Sequence, residues 1–154
     1  MPNGPTLKDT LRTDLTEAMR ARDESRTATL RLLLTAISGA ETAGKAAISL
    51  SDDQVIGVLR AEAKKRTEAA DIYAGAGRDE LATKERAELA VIEGYLPPAL
   101  SDDDLARAVA EAIAETGASG PKGVGLVIRA VQAKVGAAAD GKKIAEAAKA
   151  ALGT

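Results

Sequence analysis

Apolar residues recur along this chain at spacings of three and four, the period of an α-helix with one buried face. Leu7, Leu11, Leu15, Ala18 and Met19 form one such stripe behind Thr6, a residue suited to an N-cap. A first helix is predicted from Thr6 to about Arg22. Asp23-Glu24-Ser25 interrupts the stripe and caps a second helix that carries Leu30, Leu33, Leu34 and Ile37 towards Glu41, with Gly44 as its predicted end. Leu50-Ser51-Asp52-Asp53-Gln54 is a start signal: Ser51 can cap, Gln54 can reach back, and Leu50 can act as a hydrophobic staple. The third helix carries Val55, Val58, Leu59, Ala69, Ile72 and Tyr73, and Gly75-Ala76-Gly77 closes it. Asp79 is the predicted N-cap of a fourth helix holding Leu81, Leu89, Ile92 and Tyr95.

Gly94 and Pro97-Pro98 stop that helix, because proline lacks the N–H and restricts the residue before it. An N-terminal helical domain over 1–96 and a linker over 97–100 follow. Ser101 then caps a fifth helix, with Asp102, Asp103 and Asp104 against the positive end of its dipole. It carries Leu105, Val109 and Ile113 and ends near Gly117. A Gly/Ser/Pro loop leads to a sixth helix with Val124, Val127, Ile128, Val131 and Val135. A seventh begins at Asp140 and carries Ile144, Ala147, Ala148, Ala151 and Leu152. The expected architecture is all-α: about four helices in the N-terminal domain and a small three-helix C-terminal domain over 101–154.

Composition reinforces this. Aromatics make up 1% of the chain, two Tyr with no Phe or Trp, and much of the apolar share is alanine, the best helix former. Cys and His are absent, which removes disulfides, Cys/His zinc sites, thiol nucleophiles and every Ser-His-Asp arrangement. No metal or cofactor is expected. No long apolar run and no signal-like region appears, so no membrane association and a cytoplasmic location are expected.

The net charge of −2 conceals a polarity. Residues 99–116 hold one Arg against five acids, whereas the last 38 residues hold Lys122, Arg129, Lys134, Lys142, Lys143 and Lys149 against Asp140 and Glu146. Such a basic tail can grip an anionic partner locally. Within it, Gly136 to Lys143 reads GAAADGKK, seven of the eight positions of a phosphate-binding Walker loop. The preceding stretch has helical rather than strand spacing, Lys143 replaces the metal-binding hydroxyl, and Asp140 puts a negative charge in the cradle. The nucleotide reading therefore fails. Gly136 is read as a C-cap and Asp140 as an N-cap, with Lys142 and Lys143 in a first helical turn that the dipole makes unfavourable for cations. Their placement is either chance or one half of an anion site with the exposed N–H groups.

The stretches LRTDLTEAMRARDESRTATLRLLLTAI (11–37), AGRDELATKERAELAVIEGYLPPALSDDDL (76–105) and GASGPKGVGLVIRAVQAKVGAAADGKK (117–143) resemble the GatB/YqeY family in its free-standing YqeY-like form. Tyr95-Leu96-Pro97 followed by Ser101, together with Asp140-Gly141-Lys142, are the specific motifs. The resemblance implies an all-helical chain related to the tail of the B subunit of tRNA-dependent amidotransferases. Those are carbon–nitrogen ligases with glutamine as amido donor, and their tail is thought to recognise the tRNA body while other domains catalyse. A free-standing tail is expected to bind rather than catalyse, with tRNA as ligand and amidotransferase subunits or other translation proteins as candidate partners. Carried over by position, the RNA-facing residues are Lys122, Gly123, Gly125, Gly141, Lys142 and Lys143, with Arg129 and Lys134 on the helix between. Leu126 departs from the family pattern, where lysine is frequent. Gly125 and Gly141 have a second reading, as sites of close helix packing.

Two other function classes remain at this stage. The run RAEAKKRTEAAD (60–71) offers Lys64-Lys65-Arg66 as a protein-contact patch, against the reading of a solvated face laced by pairs such as Glu62–Arg66. An enzyme would have to draw on Arg78, Glu85 and Glu88 near the fourth helix, although Arg78 is expected to pair with a carboxylate of a neighbouring helix.

Overall fold

The computed structural model describes residues 4–154. The chain divides into two compact units, Met1–Leu96 and Pro97–Thr154. Among the described residues all regular structure is helical, and no helix is long and apolar enough to cross a membrane.

The first unit holds α1 (Leu7–Arg20), α2 (Glu24–Glu41), α3 (Asp52–Gly75) and α4 (Asp79–Glu93). The starts follow the caps. Thr6 and Ser51 each form a reciprocal capping box, with Asp9 and Gln54, and Asp23 accepts from the Arg26 N–H. Two starts are also tied to each other, since the Leu7 N–H donates to Asp52 Oδ1 at 3.0 Å. The helix ends depart from expectation. The first helix stops at Arg20 because Arg22 takes a left-handed conformation (φ 57), which lets the Asp23 N–H reach the Ala18 carbonyl at 3.0 Å. The second stops at Glu41 rather than near Gly44, because the Ile48 N–H folds back onto the Glu41 carbonyl at 3.0 Å. Asp79 lies inside the fourth helix; the capping position is Arg78, which makes no side-chain cap bond.

Leu11, Leu30, Leu33, Ile37, Val55, Leu59 and Ile92 make the centre of the core, with Tyr95 and Leu96 packed at its edge. Full burial of each large aliphatic contributes about 1.5–3 kcal/mol. Ile72 and Leu81, expected in apolar stripes, are instead 70% and 39% exposed. Polar joints cross between the helices. Lys8 of α1 is paired with Glu41 of α2, whose other oxygen accepts the Leu50 N–H at 3.0 Å. The Tyr95 hydroxyl donates to Asp14 and accepts from Arg26 Nη2 at 2.8 Å, and the Arg26 guanidinium lies 5.8 Å from the Tyr95 ring centre. Burial, and then the Asp14 carboxylate, push the Tyr95 hydroxyl well above its ordinary pKa, so it remains a donor. Arg66 is the most enclosed cation: Nη1 reaches Glu62 Oε1 at 3.2 Å and Nε reaches Glu88 Oε2 of α4 at 3.4 Å. Both Arg66 and Glu62 are 9% exposed. The Glu62–Arg66 pair matches its spacing, but Arg66 is internal and Lys65 is held by Glu62 at 2.8 Å. Of the run Lys64-Lys65-Arg66, only Arg66 is internal; Lys64 and Lys65 remain exposed. Arg78 pairs with no carboxylate among the described residues, contrary to expectation, and Glu88 serves Arg66.

The second unit holds α5 (Asp102–Thr116), α6 (Val124–Val135) and α7 (Gly141–Leu152) around Leu105, Val109, Ala112, Val127, Val131, Ile144 and Ala148. Ser101 and Asp140 cap α5 and α7, and left-handed Gly117 (φ 68) ends α5. The Leu100 N–H donates to the Ala138 carbonyl at 2.8 Å, so the start of α5 lies beside the turn between α6 and α7. α5 and α6 thus run antiparallel.

Arg66→Ala is expected to lower the stability of the first unit by about 3 kcal/mol, because half-buried Glu88 loses its cation and buried Glu62 keeps only Lys65; urea denaturation followed by far-UV circular dichroism reads the loss. The Lys8 hydrogen bond, and then the Leu50 N–H, hold the Glu41 carboxyl below the ordinary carboxylate range. A depressed folded-state value gives stability that is present above the ordinary glutamate value of about 4.3 and is lost as pH falls through the folded value. The urea midpoint is expected to be level down to about pH 5 and to fall in more acid solution, less steeply in Glu41→Gln.

Candidate nucleic-acid interface

The candidate basic residues of the second unit fall in four places. Lys122 projects from the short 3-10 turn Pro121–Gly123 that precedes α6. At 100° per residue, Gly125, Leu126, Arg129, Gln132 and Ala133 share a sector of α6 about 120° wide, opposite Val127 and Val131. All five are exposed. Lys142 and Lys143 stand on the first turn of α7, also exposed. Lys134 lies about 140° round α6 from Arg129, where Nζ bonds Glu115 Oε1 at 2.7 Å and lies 3.6 Å from Glu111 Oε2. The Glu115 hydrogen bond raises the Lys134 pKa above the ordinary lysine value. Its charge is committed to α5. By contrast, Lys122, Arg129, Lys142 and Lys143 form no ion pair among the described residues.

The expected residues do not converge on one point. Lys122 and Gly125 mark the start of α6, and Gly141, Lys142 and Lys143 lie beside its end, about 15 Å away along the helix. Arg129 sits between. Gln132, which sequence reasoning passed over, links the stripe to α7: its Nε2 would lie 3.8 Å from a Cβ at Gly141. Its position seven residues after Gly125, on the same face, is the signal that could have found it.

The glycines separate into two kinds. A Cβ on Gly123 would lie 2.9 Å from the Ala118 Cβ, so the loop after α5 closes over a position with no room for a side chain. Gly125 and Gly141 are different. A Cβ there would meet only Arg129 Nη1 at 3.9 Å or Gln132 Nε2 at 3.8 Å, which is ordinary contact, and neither residue has positive φ. Close packing, against the loop, thus accounts for Gly123, whereas Gly125 and Gly141 have room for a Cβ. Asp140 caps α7 by accepting the Lys142 N–H at 3.2 Å, which sets both lysines beside exposed backbone donors.

The arrangement offers separated cations, with an exposed glycine in the first turn of α6 and of α7. Sequence comparison adds its lineage. The model of the family described as "Yqey-like protein" matches residues 8–152. An uncharacterized protein of Schizosaccharomyces pombe, C22F3.15, is 30% identical over 93 residues, covering 60% of this chain and 74% of that protein. The helical architecture and a match spanning both units establish that this chain belongs to the YqeY-like family.

Proposed function

We propose that this chain is a non-catalytic tRNA-binding module, associated with glutamine-dependent tRNA amidotransfer, and that its second unit grips the RNA. One observation carries the reading. Gly125 and Gly141 leave helix starts bare where the fold has room for a side chain, and unpaired Lys122, Arg129, Lys142 and Lys143 flank them. Glycine in a helix costs roughly 0.5–1 kcal/mol relative to alanine, so a ligand approaching the backbone is the physical reason to keep it. RNA duplexes are recognised mainly through phosphate and 2′-OH contacts, which call for lysine, arginine, amide groups and backbone N–H rather than aromatic platforms. Lys122, Lys142, Lys143, Arg129, Gln132 and the first turns of α6 and α7 supply that set. Lys134 and Gly123 contribute by position: one braces α6 on α5, the other holds the loop that presents Lys122. The carboxylates of α5 limit the affinity and make it sensitive to salt.

Fluorescence anisotropy with labelled total tRNA tests the reading. Binding is expected at 50 mM salt and to weaken steeply by 200 mM, with Lys142→Glu/Lys143→Glu at least about tenfold weaker and a salt slope shallower by about 1.5–2. Absence of binding by the unaltered chain at low salt rejects the proposal. The glycines give an independent check. Gly125→Ala and Gly141→Ala are expected to hold stability or raise it by up to about 1 kcal/mol while weakening tRNA binding. Gly123→Ala is expected to lose about 1–2 kcal/mol through overpacking against Ala118.

A further inference from the structure

Met19 is the one place among the described residues where a mild two-electron oxidant can act. The chain has no Cys, His or Trp, and its two methionines are Met1 and Met19. The apolar stripe of α1 includes Met19 with Leu11 and Ala18, yet those two are buried and Met19 is 50% exposed. It stands in the last turn of α1, and its carbonyl accepts the Arg22 N–H at 3.1 Å in the turn that leads to α2. Its thioether therefore meets solvent, and exposure governs oxidative attack.

The sulfur also has a donor beside it. Arg31 Nη2 of α2 lies 3.8 Å from Met19 Sδ, a weak N–H···S contact between the two helices. Arg31 is exposed, so the contact lies at the surface. A thioether is a poor acceptor because its charge is diffuse. A sulfoxide oxygen is compact and carries the negative end of the S–O dipole, which makes it a strong one. Beside a guanidinium the same contact becomes a charge-assisted hydrogen bond. Methionine oxidation ordinarily disrupts an apolar contact by making it polar. At Met19 the new polar group arises next to a cation with five N–H donors. The side chain is unbranched and flexible, so the oxygen can turn onto Arg31 without moving the helix.

We propose that Met19 is a reversible oxidation site for hydroperoxides, and that Arg31 receives the sulfoxide and ties α1 to α2 more firmly. A lone pair of Sδ attacks one oxygen of hydrogen peroxide. The S–O bond forms as the O–O bond breaks, and the proton on the transferred oxygen passes to the departing oxygen, which leaves as water. Sulfur loses two electrons and the peroxide gains them. For the return, a dithiol supplies two electrons and two protons through a methionine sulfoxide reductase, and the oxygen leaves as water. The site lies in the unit that the tRNA reading does not use, and its test involves no RNA.

The test is hydrogen peroxide treatment of the folded full chain, followed by tryptic peptide mass and by thermal denaturation read with far-UV circular dichroism. The tryptic peptide 13–20 contains Met19 and separates it from Met1. In the folded chain that peptide is expected to gain one oxygen at a rate within about threefold of the rate in urea, as half exposure allows. The oxidised chain is expected to keep its helical signal and to melt about 2 °C higher than the untreated chain. The rise is expected to vanish in Arg31→Ala, which removes an exposed side chain and leaves the core intact, and to shrink in Arg31→Lys. Met19→Leu takes up no oxygen in this peptide and subtracts any effect of Met1. Dithiothreitol with the two epimer-specific reductases is expected to return both mass and midpoint. The proposal is overturned if the folded chain is oxidised at Met19 more than about tenfold slower than in urea, or if oxidation lowers the midpoint or leaves it unchanged. It is equally overturned if Arg31→Ala keeps the rise, or if the reductases fail to restore the thioether.

Discussion

The seat of α4 on α3 depends on Arg66. Only two apolar side chains of α4 are fully buried, Ala82 and Ile92, one near each end of the helix. Between them Glu88 meets Arg66, and Arg66 in turn holds Glu62 on its own helix. Burial pushes the Glu62 carboxyl up, but Lys65 and Arg66 override it and keep the group charged. A chain without Phe or Trp fills its core with Leu, Ile, Val and Ala, shapes that exchange for one another at little cost. Such a core holds helices together without dictating which turn meets which. The ionic and hydrogen-bonded joints do that: Lys8 with Glu41 for α1 and α2, Arg66 with Glu88 for α3 and α4, and Tyr95 with Asp14 and Arg26 where the chain leaves α4.

The second unit reaches the same end with less. Its core side chains are small, so it leans on well-formed helix ends and on one rim contact, Lys134 with Glu115. Ser101, Gly117 and Asp140 fix where its helices begin and stop. This economy divides its cations. Lys134 is spent on cohesion, whereas Lys122, Arg129, Lys142 and Lys143 form no ion pair among the described residues.

The beginnings of the helices were largely legible in the sequence, because Thr6, Asp23, Ser51, Ser101 and Asp140 act through bonds spanning only two or three residues. The ends were less so. Arg22 adopts a conformation favoured by glycine, and the stop after Glu41 depends on Ile48, beyond the helix altogether. The periodicity marked Ile72 as core. At 24 residues, however, α3 outlasts the shared core, whose members on that helix run only from Val55 to Ala63. The last turns keep the pattern without the neighbours. Arg66 was hidden by its surroundings: a dense run of charges reads as solvated, and its second carboxylate lies 22 residues away in sequence. For the candidate interface, the cations and glycines were visible, but which glycine is packed and which is bare is a property of Ala118 and Gln132, set by the fold.

Tyr95 also has an optical consequence. Both tyrosines of the chain, Tyr73 and Tyr95, lie in the first unit, and there is no tryptophan or phenylalanine. The second unit is therefore dark in the near ultraviolet. Tyrosine emission follows the first unit alone, and the hydroxyl of Tyr95, bound to the Asp14 carboxylate, is placed to be quenched while the fold is intact. Amide dichroism follows both units. The difference between the two signals isolates the unfolding of the small basic bundle without a label or a cut in the chain.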